Sequence, residues 1–201
     1  MEKLNKPMSG YLFLLILFII MGVGIYSVII VNLFLGIAAF ILFFLISPGF
    51  FYLNPNSSRV LTLFGKYVGT VKENGFFWAN PFYGKKAISL RARNFESEKV
   101  KVNDKRGNPI LISVITVWRV QDTYKAAFEV DDYASFVKLQ SDSAVRSLAG
   151  QYSYDNFDDD MSEVTLRSGL QEINHSLELS LSERLHIAGI EVMEARIGYL
   201  A

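Results

Sequence analysis

The chain has no cysteine and only two histidines among its 201 residues. The absence of cysteine excludes a disulfide framework and thiol chemistry. His175 and His186 lie on one predicted helix without an HExxH pattern, so we interpret them as solvent-exposed residues. The sequence contains no nucleophile elbow and no phosphate-binding glycine loop. We therefore expect a protein that is not an enzyme and that binds no metal and no cofactor.

One acidic segment, Tyr154–Asp160, could attract calcium. An EF-hand loop needs ligands at alternate positions and a central glycine, and this segment has neither. Negative charge is favourable at a helix N-terminus. We expect the acidic side chains of the segment to cap the helix that follows: Asp155, Asp158, Asp159 and Asp160.

Charged residues are absent from the 36 residues between Tyr11 and Ile46. A bilayer core about 30 Å thick needs about 20 apolar residues per helical crossing, so this run is long enough for two. It predicts a helical hairpin in lipid over Tyr11–Tyr26 and Val28–Phe51. A signal peptide, the alternative for the first half, would end in a cleavage site, whereas here the apolar run continues. Candidates for the reversal are Gly22, Gly24, Ser27 and Asn32.

The net charge is zero, which argues against a nucleic-acid binder, but the charge is segregated along the chain. Residues 54–93 carry seven Lys or Arg against one acidic residue, whereas residues 94–201 carry eleven against eighteen. Positive charge beside a membrane segment favours the cytoplasmic face and anionic lipid. We expect both ends of the hairpin on the cytoplasmic side. The sequence leaves open whether the hairpin crosses fully or enters and returns.

The basic segment after the membrane run predicts short strands at Arg59–Phe64, Tyr67–Val71 and Ala87–Arg93, with a hairpin turn at Glu73–Gly75. Its aromatic stretch, Gly75–Phe82, fits either core packing or a face on the membrane. The predicted lipid contacts are Arg59, Lys66, Lys72, Trp78, Phe82, Lys85 and Lys86.

The remaining chain predicts strands, then helices, then a final strand, an order typical of an α+β fold. Pro109–Val120 is apolar on both faces, which predicts a strand covered on both sides. Asp122 is expected to cap a short helix, and Asp131 or Asp132 a longer one that ends near Leu148. An amphipathic helix is expected from Met161 to Ile187. Its apolar stripe fits the core or a subunit interface and consists of Leu166, Leu170, Ile173, Leu177, Leu181 and Leu185.

Several of these segments together resemble the SPFH, or band 7, domain family, which includes stomatin, prohibitin, flotillin and the bacterial HflK/HflC pair. Phe64–Thr70 and Gly75–Trp78 are similar to the opening of that domain, and Val114–Val120 to its central strand. Ala144–Arg146 and Gly189–Ile197 are similar to its second half and its closing strand. The resemblance covers Pro55–Ala201, about three quarters of the chain.

The resemblance implies a membrane tail and hairpin over residues 1–53 and an SPFH domain over 54–201, with a β-rich part at 54–130 and an α/β part at 131–201. It also implies a C-terminal coiled coil, which this sequence does not contain. The implied function is a stomatin-like scaffold in a bacterial inner membrane that forms homo-oligomers and organises lipids and proteins into microdomains. The alternative is a regulator that binds a membrane protease and controls substrate access.

Overall fold

The computed structural model describes residues 2–155 and 164–201, which belong to two compact units, Met1–Ser89 and Leu90–Ala201. The division that the sequence suggested near Val130 falls inside the second unit. In its described residues the fold mixes helix and antiparallel sheet, in agreement with the α+β expectation.

The first unit contains two apolar helices and six short strands among its described residues. A π-helical turn, Ser27–Val31, follows the first helix, and a 3-10 turn, Ser47–Gly49, follows the second. The elements are β1 (Met8–Ser9), α1 (Gly10–Tyr26), α2 (Leu33–Ile46), β2 (Phe50–Leu53), β3 (Ser57–Leu63), β4 (Lys66–Val71), β5 (Gly75–Trp78) and β6 (Tyr83–Ser89).

The six strands form two antiparallel sheets with the orders β1-β5-β2 and β4-β3-β6. The expectation that Glu73–Gly75 forms a hairpin turn is wrong. The strands that this segment connects, β4 and β5, lie in different sheets and do not pair with each other. The strand predicted over Ala87–Arg93 was placed too late, because the strand that overlaps it, β6, begins at Tyr83 and ends at Ser89. A small core of buried apolar side chains stabilises this unit: Phe51, Leu53, Leu61, Val71 and Ala79.

The second unit contains β7 (Arg93–Glu96), β8 (Val100–Asn103), β9 (Pro109–Val120), α3 (Thr123–Phe128), α4 (Tyr133–Ala149), α5 (Leu170–Leu185) and β10 (Ile190–Leu200). β9 is central, since β7, β8 and β10 all pair with it in antiparallel register. Ile112 and Val114 are fully buried, but Leu111 on the other face is 40% exposed, so the prediction that β9 is covered on both faces was too strong within this unit.

Two helix caps are confirmed. The carboxylate of Asp122 accepts hydrogen bonds from the backbone N–H groups of Tyr124 and Lys125 at the start of α3. The carboxylate of Asp132 does the same at the start of α4. Each side chain satisfies donors that the first turn of a helix leaves without partners.

The last helix is shorter than the sequence predicted. It begins at Leu170, because the hydroxyl groups of Thr165 and Ser168 bond each other at 2.8 Å and close a turn before it. Gly169 occupies the cap position, and Asp155 pairs with Arg167 at 2.7 Å instead of capping the helix. Residues 161–163 and the expected caps Asp158, Asp159 and Asp160 lie outside the described residues.

The apolar stripe of the last helix belongs mainly to the core of the second unit. Leu170 alone in the stripe is substantially exposed, at 44%. The others cannot form a subunit interface in this fold because their side chains are fully covered by their own chain: Leu166, Ile173, Leu177, Leu181 and Leu185.

Asp104 holds the turn between β8 and β9 together. One carboxylate oxygen accepts the backbone N–H groups of Arg106 and Asn108, at 2.9 and 2.7 Å. The other accepts the Asn108 amide and the backbone N–H of Tyr154, both at 3.0 Å. Burial alone would raise the pKa of Asp104, but these hydrogen bonds outweigh it and lower the pKa below its usual value.

We expect Asp104→Asn to cost about 2 kcal/mol of unfolding free energy at pH 7, because an amide cannot accept all four hydrogen bonds. The folded pKa lies below that of an unfolded aspartate, about 3.9, so the contribution is complete above that pH and is lost as the pH falls through the folded pKa. Urea unfolding of the detergent-solubilised chain from pH 7 to pH 3 measures the difference.

Asp131→Asn is the matched control, because Asp131 is exposed and the cap beside it is supplied by Asp132. An Asp104→Asn variant that loses no more stability than this control at pH 7 would show that the Asp104 network does not stabilise the fold.

Candidate membrane interface

The apolar run folds into two helical stretches. The first, Gly10–Ile30, has 21 residues and lies near the N-terminus. At 1.5 Å per residue it is about 31 Å long, which matches the thickness of a bilayer core. The second stretch, Leu33–Gly49, is shorter. By its length and composition the first helix is a candidate membrane span. Many large apolar side chains on both stretches are exposed, for example Ile29 at 74% and Phe34 at 80%.

The helical run is interrupted at Asn32, which has an extended backbone with φ of −164°. Its backbone N–H donates to the carbonyl of Ser27 at 2.9 Å, and its side-chain oxygen accepts the N–H of Phe34 at 3.0 Å. These bonds satisfy polar groups that would be costly to leave unpaired in lipid. Of the four residues predicted to make the reversal, Asn32 interrupts the helices and Ser27 accepts its N–H.

Small residues bring α1 and α2 close together. A Cβ atom added to Gly36 would overlap the side chain of Val28, and one added to Gly24 would lie 3.2 Å from the Cβ of Ala39. Close approach through glycine and alanine is typical of helix pairs in membranes. A Cβ atom added to Gly22 would have no neighbour within 4 Å, so Gly22 is not needed for the contact between the two helices.

Trp78, at the end of β5, contacts both ends of the apolar run. Its indole stacks on the ring of Phe13 in α1, with centroids 3.8 Å apart and planes 3° apart. Its indole N–H donates to the carbonyl of Ile46, the last residue of α2, at 3.0 Å. A Cβ atom at Gly49 would overlap the indole, so only glycine fits there. In the sheet, Met8 and Phe50 pair with Trp78 from opposite sides.

The N-terminal tail lies along β4, a contact that the sequence did not indicate. The backbone N–H of Thr70 donates to the carbonyl of Lys3 at 2.7 Å, and the N–H of Asn5 donates to the carbonyl of Thr70 at 2.8 Å. Glu2 and Lys72 form an ion pair at 2.7 Å. The residues before α1 are therefore bound to a strand that follows α2.

Several of the predicted lipid contacts make bonds within the chain. Trp78 and Lys72 are described above, and Arg59 donates to the carbonyl of Lys85 at 3.5 Å. The Lys85 ammonium donates to the carbonyl of Pro48 at 2.7 Å and lies 5.7 Å from the centroid of the Phe51 ring. Burial, and then the charge of Arg59, lower the pKa of Lys85. A cation beside the carbonyl groups at the end of α2 is electrostatically favourable.

Lys66, Phe82 and Lys86 are exposed. The strand register places Lys66 and Phe82 at one end of the sheet β4-β3-β6, since Leu63 pairs with both Lys66 and Tyr83. Lys72 follows the other end of β4, about 20 Å away at 3.3 Å per residue. The seven residues therefore do not form one patch.

Phe64, in the turn between β3 and β4, is 90% exposed and was missed as a candidate contact. The signal in the sequence was an aromatic residue directly before Gly65, at the end of one predicted strand and shortly before the next. The turn lies beside Phe82, so two exposed aromatic side chains are at the same end of the sheet.

The second unit has a shallow groove of about 460 Å³ next to the start of α4. Asp132, one of its lining residues, bonds the Ser135 hydroxyl at 2.6 Å, and this bond and the backbone N–H bonds of the cap lower the pKa of Asp132. Among residues 2–155 and 164–201 no three His, Asp or Glu side chains are grouped as metal ligands.

Comparison with known proteins shows to which family the chain belongs. The model of the SPFH domain / Band 7 family matches residues 53–200. No curated protein matches the chain. Members of this family are membrane-associated and in general are non-enzymatic scaffolds. The match covers more than half of the sequence and includes β3 to β10, so the chain belongs to the SPFH domain / Band 7 family.

Proposed function

We propose that this chain is a membrane-anchored SPFH scaffold, without enzymatic activity, that associates with copies of itself and organises lipids and proteins into membrane microdomains. Its apolar helices would form a hairpin in the bilayer, with the N-terminal tail and the SPFH domain on the same, cytoplasmic face. The membrane would be a bacterial inner membrane.

One observation carries the anchoring part of the proposal: the residues on both sides of the apolar run pair with the same strand, β5, at Trp78. The hydrogen bonds of Lys3 and Asn5 to Thr70 support it independently. A chain that enters and leaves the bilayer at one strand has both flanks on one face. The cytoplasmic side is favoured by the basic residues of the segment 54–93.

Self-association is the second part of the proposal. Anchoring confines all copies to a thin layer, which raises their effective concentration, so weak contacts between subunits are sufficient. Exposed apolar side chains on the second unit support protein contacts there, among them Leu139 at 66% and Ile187 at 62%. Neither the confinement to the membrane nor these exposed side chains favours a protease as the partner.

The topology is tested with single cysteines, which is direct because the chain has none. We expect Lys6→Cys, before α1, and Asn74→Cys, after α2, to react with a membrane-impermeant maleimide from the same face of sealed vesicles. Labelling of these two positions from opposite faces would contradict the hairpin.

Two further cysteines serve as controls in that experiment. Leu15→Cys, on the exposed side of α1, should react only after detergent is added. Ile30→Cys separates the two kinds of hairpin: reaction from the far face indicates full crossing, and protection from both faces indicates a segment that enters and returns.

The scaffold is tested by expressing two differently tagged copies together and isolating one in mild detergent. We expect the second copy and phospholipid to be recovered with the first. The control mixes separately expressed copies after extraction, which excludes association formed in the detergent. A stoichiometric membrane protease without the second copy would favour the protease regulator instead.

A further inference from the structure

The turn between β3 and β4 exposes a large aromatic side chain, although the conformation of the turn does not require an aromatic residue there. Phe64 has φ of +47° and Gly65 has φ of +84°, the pair of positive values that a two-residue hairpin turn of type I′ requires. Asn, Asp or Gly normally occupies the first of these positions, because a bulky side chain is strained there. Phe64 is nevertheless 90% exposed, so neither local conformation nor packing within the chain accounts for it.

Strain and exposure together at one residue indicate a contact outside the chain. The contact must be apolar, since the phenyl ring has no polar group, and it must tolerate the cation of Lys66 two residues later. The boundary of a bilayer meets both conditions, because aromatic rings favour this depth and anionic headgroups attract lysine.

The position of the turn agrees with such a contact. Leu63 pairs with Tyr83, so the turn lies beside Phe82, whose side chain is 61% exposed. The loop before Tyr83 is attached to the end of the apolar run, since the N–H of Ala79 donates to the carbonyl of Gly49 at 3.0 Å. Two residues after Tyr83, Lys85 binds the carbonyl of Pro48. Two bonds thus attach this end of the sheet to the residues where α2 ends.

We propose that the Phe64–Gly65 turn inserts into the headgroup region of the bilayer that holds α1 and α2, with Phe64 and Phe82 against lipid and Lys66 toward anionic headgroups. This inference rests on the proposed membrane anchoring and adds to it a lipid contact outside the helices. Together, the helices and the turn would fix the tilt of the first unit on the membrane surface.

The experiment places one fluorophore at a time on the full chain in nanodiscs of phosphatidylcholine and phosphatidylglycerol. A nitrobenzoxadiazole label on Phe64→Cys should emit at shorter wavelength than the free label does in buffer. Its emission should also be quenched several-fold by lipids that carry a spin label near the headgroup. Far-UV circular dichroism of each labelled variant checks that it is folded.

Asn56→Cys is the matched control. Asn56 is exposed, has φ of +56° and precedes the other end of the same strand, β3, about 26 Å away at 3.3 Å per residue. Its label should stay in water and be unaffected by the spin-labelled lipids. A label on Leu15→Cys reports the anchoring alone.

Quenching at residue 15 without quenching at residue 64 would overturn the inference and leave the anchoring intact. A label at residue 64 that is shielded from water but not quenched would assign the turn to a protein contact, which also overturns it. If residue 15 is not quenched either, the anchoring itself fails.

Discussion

The contact of Trp78 with both ends of the apolar run is the constraint on which the first unit depends. Its indole stacks on Phe13 at the start of the run and donates to the carbonyl of Ile46 at its end. The carbonyl of Ile46 is one of the last in α2, where backbone acceptors have no partner within the helix. An amphipathic ring is suited to this position, since its apolar face lies against the helix and its N–H satisfies the acceptor. The SPFH domain is thereby joined to the helices by side-chain contacts as well as by the chain.

Two lysine side chains add polar contacts between the apolar run, its flanks and the strands, and so are not fully exposed to solvent. Lys85 binds the carbonyl of Pro48, and Lys72 holds Glu2 of the tail. Part of the excess of basic residues in the segment 54–93 is therefore used within the fold. Lys66 remains exposed at one end of the sheet, and the composition of the sequence did not indicate the exposed ring of Phe64 two residues before it.

Local chemistry was enough to predict some elements and misled us on others. Asp122 and Asp132 cap their helices as expected, because capping involves only residues two or three positions away. The Asn74–Gly75 turn has hairpin composition, but composition does not say which strands pair, and here β4 and β5 belong to different sheets. Leu166 keeps the apolar spacing of the last helix although a hydroxyl-bonded turn precedes Leu170. The tail on β4 depends on pairing between residues more than 60 positions apart, which no local pattern encodes.

The distance between the two ends of the apolar run in a bilayer tests the central claim most directly. Spin labels on Leu12→Cys and Leu45→Cys occupy exposed positions next to the residues that contact Trp78, and pulsed electron resonance on nanodiscs measures their separation. Because both neighbours contact one indole, we expect a distribution centred below about 30 Å, and one that broadens in Trp78→Ala. A centre near 50 Å, the length of one continuous helix of 33 residues at 1.5 Å per residue, would contradict the account.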